Sequence, residues 1–483
     1  MESYIGAKGY TIRKSELSVQ DQIDLRENLM AKPYAPTHLG GTSPFPVYRE
    51  SGSKFYIPRH YGEKHYGPAS EDKLSPGETI NLDFKGDLRP YQTKIVNTYL
   101  SSLSGGDGGG LLEVPCGRGK TVIALNIIAK LKKKTLIIVH KGFLLNQWIE
   151  RIETFLPEAK VGKIQGPVID VEGKDIVIGM LQSLSMKDYP KDQWESFGLT
   201  VVDECHHIGA EVFIRSLFKI VTPTTLGLSA TMNRKDGLSC LFKYFLGEVV
   251  YKEKREGTDN VVVRALTYYN EDEEFSDTKL DFRGNPQYST MISKLCNFNR
   301  RSEFILRVLS DLLSENPEQQ IMILAHNKSL LSYFDSAIKH KNIAECGFYI
   351  GGMKEAALKE TESKKVILAT YAMAAEALDI KTLTTLIMAS PKTDVTQSIG
   401  RILRTKDHNP IVVDIVDQHD IFQRQWFKRR AFYKKEKYDV WMSDSERYSG
   451  IDTKWDILPA KGGRSKKEET EPNSMFGKCL IKL

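Results

Sequence analysis

Residues 111–121 read Leu-Leu-Glu-Val-Pro-Cys-Gly-Arg-Gly-Lys-Thr, a short apolar run that breaks into a glycine-rich turn and a Lys-Thr pair. The run 111–114 predicts a buried strand and Pro115 ends its pairing. Gly117 and Gly119 then free the backbone to curl its N–H groups around phosphate oxygens. In such a turn Lys120 reaches the β/γ-phosphates of a nucleotide, and Thr121 offers a hydroxyl to Mg2+. The pattern is shorter than the phosphate loop G-x-x-x-x-G-K-[ST], because Val114 stands where that consensus has its first glycine. A Gly-Lys-Thr tripeptide also occurs in ordinary surface turns, so its meaning depends on partners further along the chain.

Outward from this stretch the pattern alternates. Strands are predicted at 111–114, 135–139, 175–178, 199–202 and 224–228, with amphipathic helices at 121–132 and 143–155. Nearly continuous apolar strands separated by helices indicate a parallel sheet covered on both faces, with the ligand at the carboxyl ends of the strands. A second series follows: helix 303–313, strand 320–324, helix 329–338, strands 365–368 and 384–388, helix 395–403 and strand 411–415. The acidic stretch 270–281 reads as an exposed connection. A basic and aromatic helix, FQRQWFKRRAFYKKEKY, is predicted beyond Asp420. After about Asp456 the composition LPAKGGRSKKEETEPNS has too little apolar surface to order itself.

Residues 1–82 differ in character, being rich in aromatics, prolines and glycines, and read as a small α+β module. Arg49, Lys54, Arg59, His60, Lys64 and His65 lie among Tyr48, Tyr56, Tyr61 and Tyr66. Two readings stay open for this cluster: a nucleic-acid surface of cations and stacking rings, or a small domain that packs its tyrosines.

Composition excludes little. Of 483 residues, 41% are hydrophobic and 27% charged, and the net charge of +6 permits nucleic-acid contact without demanding it. Six scattered cysteines form no C-x-x-C pair and no zinc spacing, which points to a reducing compartment. The N-terminus lacks a signal-like apolar core and no run approaches a membrane span, so a soluble intracellular protein without a membrane partner is expected.

The partners of the phosphate turn come next. Val201-Val202-Asp203-Glu204-Cys205-His206 places adjacent carboxylates at the end of an apolar strand. Asp203 suits the magnesium ion, while Glu204 suits a water attacking the γ-phosphate. His206 is expected to couple nucleotide state to the next motif, Ser229-Ala230-Thr231, which closes the following strand. In the second series Gln397-x-x-Gly400-Arg401-x-x-Arg404 sets two arginines three apart on one helical face. Guanidinium groups brought to the γ-phosphoryl group neutralise its developing charge, and hydrolysis then depends on domain closure.

The ordered set resembles the superfamily-two helicases: Leu88-Arg89-Pro90-Tyr91-Gln92, the phosphate loop, DECH at 203–206, Ser-Ala-Thr at 229–231 and Q-x-x-G-R-x-x-R at 397–404. Within them, GLSATMNRKDG at 227–237 resembles the translocase subunit of general transcription factor H and its phage relatives. IIVHKGFLLNQWIERI at 137–152, YIGGMK at 349–354 and ATYAMAAEALDI at 369–380 are similar to helicases of nucleocytoplasmic large DNA viruses, including the poxvirus transcript-release type.

The resemblance implies an α/β fold of two tandem RecA-like domains with parallel sheets (83–262 and 263–450), preceded by the N-terminal α+β module (1–82) and followed by a disordered tail (451–483). It implies an ATP-dependent helicase or translocase using ATP and Mg2+. Nucleic acid is its partner, DNA before RNA, and transcription or replication proteins are further candidates. Gln92 would read adenine, and Pro115, Cys116, Gly117, Arg118, Gly119, Lys120 and Thr121 would cradle the phosphates. Asp379 would contact the ribose, Arg401 and Arg404 the γ-phosphate, and Gln397 would belong to the catalytic set. Phosphate-backbone contacts are implied near Gln182-Ser183, His140-Lys141, Asn327-Lys328 and Thr370-Tyr371. Two positions depart from the pattern: Met232 replaces a proline, and Ala377 a glycine, which narrows backbone freedom near the ribose. An RNA helicase, and an assembly factor that binds ATP without turning it over, remain as alternatives. Retention of Lys120, Glu204 and Arg401 speaks against the latter.

Overall fold

Thr135–Val139 is buried along its whole length and pairs in parallel on both sides, as expected of a strand with no polar face. It sits inside one of two eight-stranded sheets. The computed structural model describes residues 2–34, 43–106, 108–115, 117–207, 210–232, 236–253, 261–376, 380, 382–396, 398–399 and 410–458. The chain divides into two compact units, the second beginning at Gly257.

In the first unit an N-terminal α+β layer comprises β1 (Ser3–Gly6), β2 (Gly9–Arg13), β3 (Met30–Ala31), β4 (Phe45–Pro46), β5 (Arg49–Glu50), β6 (Lys54–Ile57) and β7 (Glu71–Asp72), with helices α1 (Val19–Asn28) and α2 (Arg59–Tyr66). Its main sheet runs β5-β6-β2-β1-β7. The layer is fastened to the rest of the unit through α2 and its surroundings. Arg59 donates to the Pro223 carbonyl at 2.7 Å, Lys64 pairs with Glu248 at 3.0 Å, Tyr61 meets Tyr244 edge-on at 4.9 Å, and Arg49 lies 5.0 Å over Phe218. Tyr61 is buried by this packing, whereas Arg49 and Lys64 stay exposed.

The remainder of the unit contains β8 (Gly109–Glu113), β9 (Thr135–Val139), β10 (Val161–Gln165), β11 (Val168–Ile169), β12 (Ile176–Met180), β13 (Leu199–Val202), β14 (Thr224–Ser229) and β15 (Val249–Lys252). Helices α3 (Pro90–Ser104), α4 (Lys120–Leu131) and α5 (Gly142–Phe155) pack on this sheet. The order β11-β10-β12-β9-β13-β14-β8-β15 is parallel except for the terminal β10/β11 hairpin. Register aligns Ser229 of β14 with Glu113 of β8, and Gly227 with Val202 of β13. The three motif turns therefore leave neighbouring strands at the same edge.

The second unit repeats the design with β16 (Val262–Tyr268), β17 (Gln320–Ala325), β18 (Cys346–Tyr349), β19 (Val366–Thr370), β20 (Leu383–Met388), β21 (Ile411–Asp417), β22 (Asp439–Asp444) and β23 (Asp456–Leu458), ordered β18-β19-β17-β20-β21-β16-β22-β23. Its first strand is thus interior, parallel to both β21 and β22. Two buried ion pairs tie the sheet to its helices. Arg301 of helix Asn299–Glu315 holds Asp417 through two bonds of 2.5 and 2.9 Å and donates to the Ala389 carbonyl at 2.7 Å. Arg429 of helix Asp420–Lys435 holds Asp414 at 2.7 and 2.9 Å, with the Tyr433 hydroxyl donating to the same carboxylate. The basic and aromatic helix beyond Asp420 therefore buries Phe422, Trp426, Arg429 and Tyr433, one stripe at helical spacing.

The acidic stretch 270–281 is exposed along most of its length, with one anchored point. Phe275 is fully buried against Tyr268 at 5.6 Å, its carbonyl accepts from His419 Nε2 at 2.6 Å, and Asp272 caps a short helix, Glu273–Ser276. A single aromatic inside a run of carboxylates anchors the whole segment. At the C-terminal end the expected disordered tail, 451–483, is corrected over its first residues: a single turn at Gly450–Asp452 and β23, which pairs antiparallel with β22, order 451–458, while 459–483 lie outside the described residues. The four described cysteines are free. No described helix is long and apolar enough to cross a membrane.

Candidate nucleotide site

The turn after β8 has the backbone its glycines foretell: Gly117 and Gly119 adopt φ of +81° and +76°. Gly119 is also the residue before α4, and a Cβ there would meet Gln92 Nε2 at 2.5 Å. Gly119→Ala is accordingly expected to weaken nucleotide binding by about tenfold or more, from ~1–3 kcal/mol of backbone strain. Titration with a fluorescent ADP checks this, and unchanged affinity would contradict it.

Gln92, which resemblance makes an adenine reader, joins the start of α3 to the phosphate turn. Its Oε1 accepts from the Arg89 N–H at 2.9 Å, and its Nε2 donates to the Arg118 carbonyl at 3.2 Å. The Tyr91 hydroxyl donates to that same carbonyl at 3.3 Å, while the Arg118 guanidinium lies 3.7 Å over the Tyr91 ring and donates to Glu253 at 2.9 Å. Pro115 and Thr121 flank this turn, both half-buried.

A continuous chain of contacts crosses the strand ends. Lys120 Nζ pairs with Glu204 Oε1 at 2.9 Å. Glu204 itself has a φ of +45°, costly for a residue with a long side chain and typical of a turn held in place by its surroundings. Its other oxygen lies 3.5 Å from His206 Nδ1, which contacts Ser229 Oγ at 2.6 Å. Ser229 Oγ donates to the Thr231 carbonyl at 2.5 Å and accepts from the Thr231 N–H at 3.2 Å. With the Ser229 proton so directed, His206 Nδ1 must carry a proton and donate to Ser229. Ala230 sits inside this turn, and Met232 just after it is buried in the core.

Asp203 is buried beside this chain. Its Oδ1 accepts the Glu204 N–H and its Oδ2 the Trp148 indole N–H, both at 2.9 Å. Burial, then the neighbouring Glu204 carboxylate, push the Asp203 carboxyl up to about 6, against the pull of Lys120 and Trp148. Two carboxylates thus lie close to the Lys120 ammonium. The donors at hand, a carboxylate and the Thr121 hydroxyl, are oxygen donors suited to Mg2+. No cluster of three or more His, Cys, Asp or Glu capable of a complete cage occurs among the described residues.

Cys116, Asp379, Gln397, Arg401 and Arg404, together with Ala377, lie outside the described residues. The four expected backbone-contact pairs follow β9, β12, β17 and β19, again at carboxyl ends. Several of their groups hold loops instead. Gln182 donates to the His140 carbonyl at 2.9 Å, Ser183 Oγ accepts from the Gly166 N–H at 2.9 Å, and Lys328 donates to the Gly351 carbonyl at 3.2 Å. Tyr371 is buried, with its hydroxyl on the Ser390 carbonyl at 2.6 Å, so its side chain is structural. Sequence reasoning gave no role to Trp148, Tyr91 or Glu253. Tyr91 stood in the motif 88–92, and Trp148 was the one indole in the stripe Leu144, Leu145, Trp148 and Ile152.

Residues 85–234 match the family model described as the type III restriction enzyme res subunit. A protein of Acanthamoeba polyphaga mimivirus, named as an ATP-dependent RNA helicase, is 33% identical over 89% of this chain and 85% of its own length. The chain belongs to the superfamily-two helicases. This helicase is also 27% identical to an archaeal protein of Sulfurisphaera tokodaii, named a DNA 3'-5' translocase, over 59% of this chain and 61% of that one. A fragment structure of an HsdR subunit of a type I restriction enzyme from Vibrio vulnificus superposes with a TM-score of 0.53 at 18% identity, covering 75% of this chain and 70% of that one, a likeness of fold. The helicase is a nucleic-acid-dependent ATPase.

Proposed function

We propose that this helicase is an ATP-driven motor on DNA, working in viral transcription or DNA processing. The observation that supports the motor reading most is the contact chain Lys120–Glu204–His206–Ser229, which links the phosphate turn to the Ser-Ala-Thr turn across adjacent strands. In this reading the N–H groups of the turn and Lys120 bind the β/γ-phosphates, and Glu204 orients and polarises the attacking water. Asp203 and Thr121 are the residues that would hold Mg2+, which would supply positive charge to the phosphate oxygens. His206 and Ser229-Ala230-Thr231 relay the state of Glu204. Gln92 keeps the turn shaped beneath the base. Roles for Asp379 on the ribose, for Arg401 and Arg404 on the γ-phosphate and for Gln397 in the catalytic set rest on the sequence pattern alone.

DNA is preferred because GLSATMNRKDG at 227–237 follows the translocase pattern and an archaeal DNA translocase is a relative. RNA is the second reading, favoured by the name of the mimivirus relative. Steady-state ATP hydrolysis with no nucleic acid, single-stranded DNA, duplex DNA and RNA of matched length separates them, with Lys120→Ala as control. DNA is expected to stimulate turnover more than RNA does. Equal or stronger stimulation by RNA would move the motor to RNA.

A further inference from the structure

Trp148 lies in the middle of α5, where Leu144, Leu145 and Ile152 complete the stripe that faces the sheet. Another aliphatic side chain would fill the same face. An indole brings something more, an N–H that must find an acceptor once buried. The acceptor is Asp203 Oδ2, 2.9 Å away and 55 residues later in the chain, with both groups buried. The opposite oxygen accepts the Glu204 N–H at 2.9 Å. One donor on each oxygen blocks rotation of the carboxylate and leaves its remaining lone pairs in a fixed direction.

We propose that Trp148 is a positioning residue for the nucleotide-bound cation: its indole N–H fixes the Asp203 carboxylate in the orientation that receives Mg2+. This rests on Asp203 being the protein's carboxylate ligand. Outer partners of metal-binding carboxylates commonly contribute 10–100-fold in metal affinity or activity, because they orient the ligand before the ion arrives. Trp148 is buried and meets the site through Asp203. Its loss should therefore show in cation binding as well as in stability, whereas a purely structural tryptophan would affect stability alone.

The test uses the full chain with Trp148→Phe. A second variant carries benzothienylalanine at 148, which keeps the ring shape and replaces N–H by sulfur, so that a fold weakened by the smaller phenyl ring does not blur the outcome. Mn2+ binding in the presence of ADP is followed by electron paramagnetic resonance, beside cation-free binding of a fluorescent ADP and the thermal midpoint. Mn2+ affinity is expected to fall by about 10–100-fold in both variants, with cation-free ADP binding unchanged. In the benzothienyl variant the thermal midpoint falls only by what one lost buried hydrogen bond costs, less than in Trp148→Phe. Mn2+ affinity within about twofold of the parent in the benzothienyl variant overturns the proposal. Asp203→Asn is the reference: if it too leaves Mn2+ affinity unmoved, Asp203 is not the ligand and the reading beneath falls. If it alone lowers affinity, only the role of Trp148 falls.

Discussion

Glu204→Gln is expected to lower ATP turnover by about 10²–10⁴-fold, the usual contribution of a positioned general base, while nucleotide still binds. The glutamine keeps the size of the side chain and an oxygen for Lys120, whose ammonium lies 2.9 Å from Glu204 Oε1. What it loses is the negative charge that polarises water. It also loses the charge that the His206 Nδ1–H faces at 3.5 Å, so stimulation by nucleic acid should decline together with basal turnover. Lys120→Ala differs in kind. It leaves Asp203 and Glu204 adjacent without their ammonium, which should weaken nucleotide binding as well as hydrolysis. Measuring kcat alongside ADP affinity separates the two variants. Turnover of Glu204→Gln within about tenfold of the parent would remove Glu204 from the catalytic role.

Asp417→Ala should produce the largest loss of stability. Arg301 and Asp417 are both completely buried, and the arginine also supports the carbonyl of Ala389 after β20. Removing the carboxylate strands a guanidinium in the core, which costs about 3–5 kcal/mol. For a unit of this size each kcal/mol moves the midpoint by ~2–4 °C, so the second unit should melt about 6–20 °C earlier. Pairing Asp417→Leu with Arg301→Met is expected to recover part of the loss, since an apolar replacement strands no charge. Differential scanning calorimetry reads both. A shift under about 2 °C for Asp417→Ala would show that the pair contributes little.

How much of this was legible depended on burial. Strands 135–139 and 199–202 were readable because parallel strands covered on both faces are apolar throughout. Val161–Gln165 and Asp439–Asp444 escaped because they lie toward sheet edges and alternate polar with apolar residues. Helix Pro90–Ser104 was noticed only for Gln92, since its serines and threonines dilute its apolar stripe of Ile95, Val96 and Tyr99. In the site, Lys120, Asp203 and Glu204 were visible because charged residues at strand ends stand out against an apolar background. The bond from Trp148 to Asp203 joins two side chains through the fold, and nothing local in either stretch announces it.

The interior place of β16 bears on how the chain is made. Val262–Tyr268 leaves the ribosome long before Ile411–Asp417, its parallel neighbour, from which residues 269–410 separate it. At ~5–20 residues per second that strand waits roughly 7–30 s for a partner, its apolar face uncovered while the first unit already has all its strands. β16 takes its place between β21 and β22 only after both have been made, so the second sheet is completed from the C-terminal end of the unit.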